Sequence, residues 1–234
     1  MNDFSINPFA NRRKVAGIFN SIASFYEPMN KIMSFGLDGI WRDKAKGYAY
    51  GTTLDVACGT GEMTSRFSCS HNVHKVIGTD ISIKMMKWGM KNKKFCKDVN
   101  FVLSAVEFLP FKSEAFDCVS ISFAIRNFED RIKAIDEIRR VLKKGGRFII
   151  LDTLRPRMNP VLYFFYKLYL LRVIPFFIGL LTGDRNSYLY MSQSILNFYS
   201  VDEFSKILKQ KGFEIEKIDS ITFGVVNLIV SRKV

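Results

Sequence analysis

With 234 residues and 48% hydrophobic content, the chain has the size of one domain with a well-buried core, which excludes a disordered or low-complexity polymer. Lys and Arg number 35 against 22 Asp and Glu, a formal net charge of +13. Without zinc-finger spacing or a single basic block, that balance points to an anionic membrane surface before nucleic acid.

In chain order, Met1–Asn11 lacks a signal-peptide pattern, and Arg12-Arg13-Lys14 opens a basic, amphipathic stretch. Residues 1–45 are expected to form a helical cover. Thr53–Ala57, Lys75–Thr79, Asn100–Leu103, Asp117–Ser122 and Arg147–Leu151 are short apolar runs, as strands covered on both faces require. Between the last two, Ile132, Ile135, Ile138 and Leu142 make one helical stripe, with Lys143-Lys144-Gly145-Gly146 as its stop signal. Residues 156–199 form an aromatic-rich insertion, far longer than an ordinary connection and expected to cover a substrate. Within it, Val161–Leu181 is apolar but carries Lys167, Arg172 and Pro175, so it reads as buried or interfacial, not membrane-spanning. Ser200 and Glu203 form a capping box, and two late strands follow near Phe213–Ile218 and Thr222–Val230, with Gly224 marking a bend.

The alternation of strands and helices predicts one α/β domain over residues 1–234, a doubly wound, Rossmann-like sheet that binds ligands at the carboxyl ends of its strands. Cys58, Cys69, Cys96 and Cys118 show no paired spacing, which suits a reducing cytoplasm; Cys58 and Cys118 read as core residues. His71 and His74 have no third ligand nearby, so no metal site is expected.

The first strand runs into Asp55-Val56-Ala57-Cys58-Gly59-Thr60-Gly61, where small residues let a backbone turn approach a ligand. Asp80 ends the second strand about 20 residues later, the distance at which a carboxylate grips ribose hydroxyls. The bland alternative makes Gly59 and Gly61 a simple turn and Asp80 a helix cap. A dinucleotide is disfavoured because Thr64 stands where the third glycine of a phosphate-binding turn belongs and Asp55 would repel a pyrophosphate. A cofactor bearing an ammonium and a sulfonium, S-adenosylmethionine, suits Asp55 better.

Asp55-x-Ala57-x-Gly59-x-Gly61 resembles the first motif of class-I methyltransferases. Phe19 to Ala23, Tyr26, Met29-Asn30, Ser34-Phe35-Gly36 and Trp41-Arg42 resemble the opening of the menaquinone/ubiquinone-biosynthesis C-methyltransferases, the UbiE/MenG family. Leu109-Pro110-Phe111, Phe116-Asp117, Ile121 to Asn127, Arg140 to Lys143, Tyr188–Ile195 and Thr222 to Val226 continue the likeness. The resemblance implies a seven-stranded sheet with its last strand antiparallel. It also implies cofactor contacts at Thr60, Asp80, Ala105, Val106 and Ser122, beside Asp55, Gly59 and Gly61. Relatives usually carry Asp or Asn at the position of Ala105, so weaker adenine binding is expected here.

The reaction so implied is methylation of a ring carbon in a polyprenylated quinol, demethylmenaquinol before a methoxy-polyprenyl-benzoquinol. Arg126 and Asn127 follow the fourth strand, where a guanidinium could stabilise a phenolate. Tyr26 could close over the ring, and Asp152 ends the fifth strand nearby. The structural alternatives are an ion pair of Arg126 with Glu129 or Asp130, core packing for Tyr26 and a cap for Asp152. The insertion's aromatics (Tyr163, Phe164, Phe165, Tyr166, Tyr169, Phe176, Phe177, Tyr188, Tyr190, Phe198, Tyr199) suit a prenyl channel at a membrane surface, or else packing on the sheet or a homodimer interface. A nucleic-acid methyltransferase would need a recognition domain or an Asn-Pro-Pro-Tyr-like loop, and neither is present. A non-catalytic relic would have lost the glycine loop or Asp80.

Overall fold

The computed structural model describes residues 12–176, 179 and 185–234, without the side chains of residues 185–188 and 190. Strands β1 (Gly51–Val56), β2 (Val73–Asp80), β3 (Val99–Leu103), β4 (Phe116–Ser122), β5 (Leu142–Thr153), β6 (Phe213–Ile221) and β7 (Val226–Lys233) form one sheet of order β3-β2-β1-β4-β5-β7-β6. Strand β7 runs antiparallel to both neighbours, while β1 to β5 are mutually parallel. This is the doubly wound sheet that the sequence predicts. The order reverses between β1 and β4, so their carboxyl ends open a crevice.

The central strands are apolar throughout because helices cover both faces. Leu54, Val56, Val119, Ile121, Phe148 and Ile150 pack beneath Ile135, Ile138 and Val141 of the helix α6, Arg131–Val141. Residues such as Phe148 are fully buried, and each contributes roughly 1.5–3 kcal/mol through removal from water. Asp130 starts α6 by accepting from the Lys133 amide at 2.9 Å. That helix stops one residue earlier than its apolar stripe suggests. Leu142 already pairs with Phe116, and the Lys143 to Gly146 stretch is an irregularity inside β5. Thr222, Phe223 and Gly224 likewise belong to the β6–β7 turn and not to a strand; all three have positive φ. The Ser200–Glu203 capping box is formed as the sequence predicts and opens the helix Val201–Gln210.

Three short helices, α1 (Arg12–Ile22), α2 (Tyr26–Met33) and α3 (Asp38–Lys46), cover the carboxyl edge. Asn20 ties α1 down: its side-chain oxygen accepts from the Ser82 hydroxyl at 2.7 Å and the Lys84 amide at 3.2 Å. The 156–199 insertion contains helices Pro160–Leu168 and Arg185–Leu196, with a wide turn at Tyr169–Val173. Pro160–Leu168 has no buried residue, whereas Leu170 and Ile174 are buried against Met29 and Ile195. Among the described residues no helix is long and apolar enough to cross a membrane.

Cysteine spacing misled in one respect. Cys69, after the helix α4 (Glu62–Ser68), and Cys96, before β3, form a disulfide with Cα atoms 4.9 Å apart. Cys58 and Cys118 are free and buried, as expected.

Candidate active site

Two non-glycine residues at the exits of the central strands, Ala57 after β1 and Phe123 after β4, hold left-handed backbone at φ 52° and 58°. Such conformations cost energy and gather at functional sites. Gly59 (φ 57°) and Gly61 (φ 74°) continue the turn into α4. The Gly59 amide donates to Asp80 Oδ2 at 2.7 Å, and the Ser82 amide to Oδ1 at 2.7 Å. Burial pushes the Asp80 carboxyl up to about 6, against those amide hydrogen bonds.

Asp80, Gly59, Ser104, Val106 and Ser122 line one cavity, closed from above by Arg12, Val15, Phe19 and Tyr26. Its chemistry fits S-adenosylmethionine. The Asp80 carboxylate faces it at the end of β2, and the Ser104 and Ser122 hydroxyls on its wall are buried without a hydrogen-bond partner. Ala105 does not reach this wall. Glu107 does, a buried carboxylate whose Oε1 accepts from the Asp130 amide at 3.4 Å. Sequence reasoning passed over it, although an acid between Val106 and Phe108 in an apolar stretch was a signal.

Asp55 stands apart from both cavities. Its side chain lines neither this cavity nor the larger one and accepts instead from the Thr64 hydroxyl at 2.5 Å. Burial pushes its carboxyl up to about 7, and the Thr64 hydrogen bond and nearby Arg42 offset only part of that rise. Asp55 therefore braces the turn from below. Thr60 and Gly61 also stand back from the cofactor cavity: Gly61 caps α4, and Thr60 faces a small recess shared with Tyr26 and Arg42. Gly89 on the helix α5 (Ile83–Asn92) fits directly under the turn, since a Cβ there would lie 2.2 Å from the Thr60 carbonyl oxygen. That contact was not legible in the sequence.

A second, larger cavity of about 170 Å³ adjoins the first. Its walls are mainly apolar, from Ile18, Ile22 and Met33 to Tyr166, Tyr169 and Leu170 of the insertion. Val15, Phe19, Tyr26, Phe123 and Asn127 line both cavities, so the two chambers meet there. Arg126 lines the larger one. It pairs neither with Glu129 nor with Asp130 but with buried Asp152, which also accepts from the amides of Ile125 (3.0 Å) and Thr153 (2.7 Å). Burial raises the Asp152 carboxyl above its ordinary value although Arg126 opposes the rise. Asp152 thus stands behind Arg126 and lines neither cavity.

The structure divides the insertion's aromatics. Tyr166 and Tyr169 line the cavity, Phe164, Phe165 and Phe176 are exposed, and Phe198 and Tyr199 pack on Phe204 in the core. Phe177 and the side chains of Tyr188 and Tyr190 lie outside the described residues.

Comparison with known proteins agrees with this geometry. The chain is similar to the demethylmenaquinone methyltransferase of Thermotoga maritima, 34% identical over 91% of this chain and 93% of that one. It is 37% identical to the ubiquinone/menaquinone biosynthesis C-methyltransferase UbiE of Escherichia coli O1:K1 / APEC, over 92% and 88% of the two chains. Among solved structures, the [4+2]-cyclase SpnF superposes with a TM-score of 0.71 at 14% identity, covering 98% of each chain; that likeness shows the fold alone. The model of the ubiE/COQ5 methyltransferase family matches residues 8–233. The enzyme is therefore S-adenosylmethionine-dependent, and the chain belongs to the ubiE/COQ5 methyltransferase family.

Proposed function

We propose that the chain methylates a ring carbon of a polyprenylated quinol, with demethylmenaquinol as the preferred acceptor. The observation that carries this reading is the second chamber: a mainly apolar cavity that has Arg126 on its wall and shares Tyr26, Phe123 and Asn127 with the smaller one. A quinol ring needs donors at its oxygen and a dry wall elsewhere, and the names of the relatives above point to the same acceptor class. The alternative acceptor is a methoxy-polyprenyl-benzoquinol, which the UbiE name covers equally.

S-adenosylmethionine supplies an electrophilic methyl group. Arg126 stabilises the quinol oxygen as it loses its proton, and the resulting phenolate pushes electron density onto its ortho carbon. That carbon would take the methyl as the methyl–sulfur bond breaks and S-adenosylhomocysteine leaves; the quinol proton and then the ring proton pass to water, and loss of the latter restores aromaticity. Asp152 holds the guanidinium in place. Tyr26, Phe123 and Asn127 at the junction orient the ring and exclude water from it. Arginine stays charged, so its part is electrostatic and not that of a base.

The exposed surface supports a site at the cytoplasmic face of an anionic membrane. Ile32, Phe35, Ile40, Phe165, Leu168 and Phe223 are exposed on segments whose neighbouring residues line the acceptor cavity. Residues 156–183 add Lys167 and Arg172 and contain no Asp or Glu. Aromatic and aliphatic side chains ringed by cations suit an anionic lipid surface, where a prenyl tail resides. A second copy of the chain is the other occupant such a rim could take. Co-sedimentation with vesicles of anionic or neutral lipid, beside sedimentation of the free protein, separates the two.

The functional test is transfer of labelled methyl from S-adenosylmethionine to reduced short-tailed demethylmenaquinol or its benzoquinol counterpart. Label in either quinol supports the reading and ranks the acceptors. Label in neither, with the cofactor shown to bind, would overturn it.

A further inference from the structure

The cofactor carries an α-carboxylate, and the cavity that holds its ribose and adenine contains no free cation for that charge. Among the described residues Arg12 is the only cation on its wall, and its guanidinium is bound to Glu129 at 2.5 Å and lies 5.0 Å from the centre of the Phe108 ring. An anion in a partly dry site needs a counter-charge. Two further chambers adjoin the glycine turn and Tyr26, and the cations on their walls are Arg126, Lys31 and Arg42. Arg126 is committed to Asp152. Lys31 is exposed.

Arg42 is buried, unlike Lys31, and has no carboxylate within hydrogen-bonding distance, unlike Arg12 and Arg126. It is 5% exposed, on α3, and its Nε is buried without a hydrogen-bond partner. The nearest carboxylate, Asp38, stands 3.7 Å away, beyond hydrogen-bonding distance, and accepts from the Ser34 hydroxyl instead. The guanidinium lies over the Phe123 ring, 4.9 Å from its centre, at the exit of β4. It lines both the acceptor cavity and the recess that contains Thr60 of the glycine turn. A buried guanidinium with unused donors is costly unless a ligand completes it.

Position along the cofactor agrees. Asp80 and the Ser104–Val106 wall fix the ribose and adenine ends at β2 and β3. The sulfonium belongs where the cavities meet, beside Tyr26, Phe123 and Asn127. Tyr26 of that junction also borders the recess that contains Thr60 and Arg42. We infer that Arg42 is a carboxylate subsite: its planar fork of N–H donors receives the α-carboxylate of the cofactor's amino-acid end. The stack on Phe123 then links that anchor to the residue lining both chambers, so the same side chain positions the cofactor relative to the acceptor.

The test compares binding of S-adenosylhomocysteine with that of its decarboxylated analogue, which keeps the amine, by calorimetry on the full chain. The wild type is expected to prefer the carboxylate form by roughly 10–100-fold, the range of one charge-assisted hydrogen-bonded pair. Arg42→Met should weaken S-adenosylhomocysteine by that factor and leave the decarboxylated analogue unchanged. Arg42→Lys should recover part of the preference, and Lys31→Met should leave it intact. Equal weakening of both ligands by Arg42→Met would mean a structural role and overturn the inference. So would a preference that persists in that variant, since another cation would then hold the carboxylate. If Arg42→Met does not fold, the wild type and Arg42→Lys still decide. A wild-type ratio near one, or one that Arg42→Lys leaves unchanged, contradicts the assignment.

Discussion

Arg126 and Asp152 form a buried ion pair at the exits of β4 and β5, and Asp152 is completely inaccessible while Arg126 lines the acceptor cavity. The pair explains how a charged side chain is held rigidly at an apolar wall. Removing one partner leaves the other buried without compensation, which costs about 3–5 kcal/mol. Asp152→Asn and Arg126→Gln are therefore both expected to lower the unfolding free energy by that amount, read from denaturant titrations. Arg126→Lys keeps the charge but not the fork, and should reduce methyl transfer roughly 10–100-fold while leaving cofactor affinity within about twofold. Calorimetry for binding and single-turnover kinetics for transfer separate the two effects.

Cofactor affinity should depend on pH through Asp80. Its carboxyl, pushed up to about 6 by burial, must be ionised to accept from ribose hydroxyls while Gly59 and Ser82 occupy its other lone pairs. Affinity is then constant above about pH 7 and falls about 10-fold by pH 5, one proton per bound cofactor. Titrations of S-adenosylhomocysteine across this range check it. In Asp80→Asn the dependence should vanish along with most of the affinity.

Asp55 makes a stability prediction of the opposite kind. Burial pushes its carboxyl up to about 7 in the fold from an ordinary 3.8, so the folded state binds the proton more tightly. The stabilisation this brings is fully present below about pH 4 and is lost as pH rises through about 7. Asp55→Asn, which can still accept from Thr64, should raise stability by roughly 2 kcal/mol at pH 8 and change it little at pH 4. Thermal melts at the two pH values decide; an equal effect at both would contradict the cause given for the shift.

Much of this architecture was legible beforehand. Apolar runs as short as Thr53–Ala57 and Asp117–Ser122 can only be doubly covered strands, and Asp80 at the end of the second made the cofactor class readable. What failed depended on contacts between distant elements. Asp55 suggested a ligand carboxylate, yet the fold turns it toward Thr64, nine residues ahead on the following helix. Arg126 had acidic neighbours in sequence, but its partner comes from the adjacent strand, 26 residues on. Cys69 and Cys96, 27 residues apart, meet because α4 ends beside the approach to β3. Leu142 continued a helical stripe, but pairing with Phe116 drew it into the sheet.

Gly89 shows the same limit and gives a further test. A methyl group there would meet the Thr60 carbonyl at 2.2 Å, and a backbone atom cannot yield as a side chain does. Gly89→Ala should displace the glycine turn, destabilise the fold by about 1–3 kcal/mol and weaken cofactor binding at least ~10-fold. Gly17→Ala on α1, where nothing lies within 4 Å, should instead stabilise by about 0.5–1 kcal/mol. Paired melts and titrations of the two variants distinguish packing from helix propensity.

The central claim is that the two chambers meet so as to place a methyl group on a ring carbon. The most direct measurement supplies S-adenosylmethionine with a 13C-labelled methyl and reduced short-tailed demethylmenaquinol, then locates the label in the product by NMR. A single aromatic C-methyl signal is expected, strongly diminished in Arg126→Lys. A methoxy signal, or no transfer by protein that binds the cofactor, would contradict it.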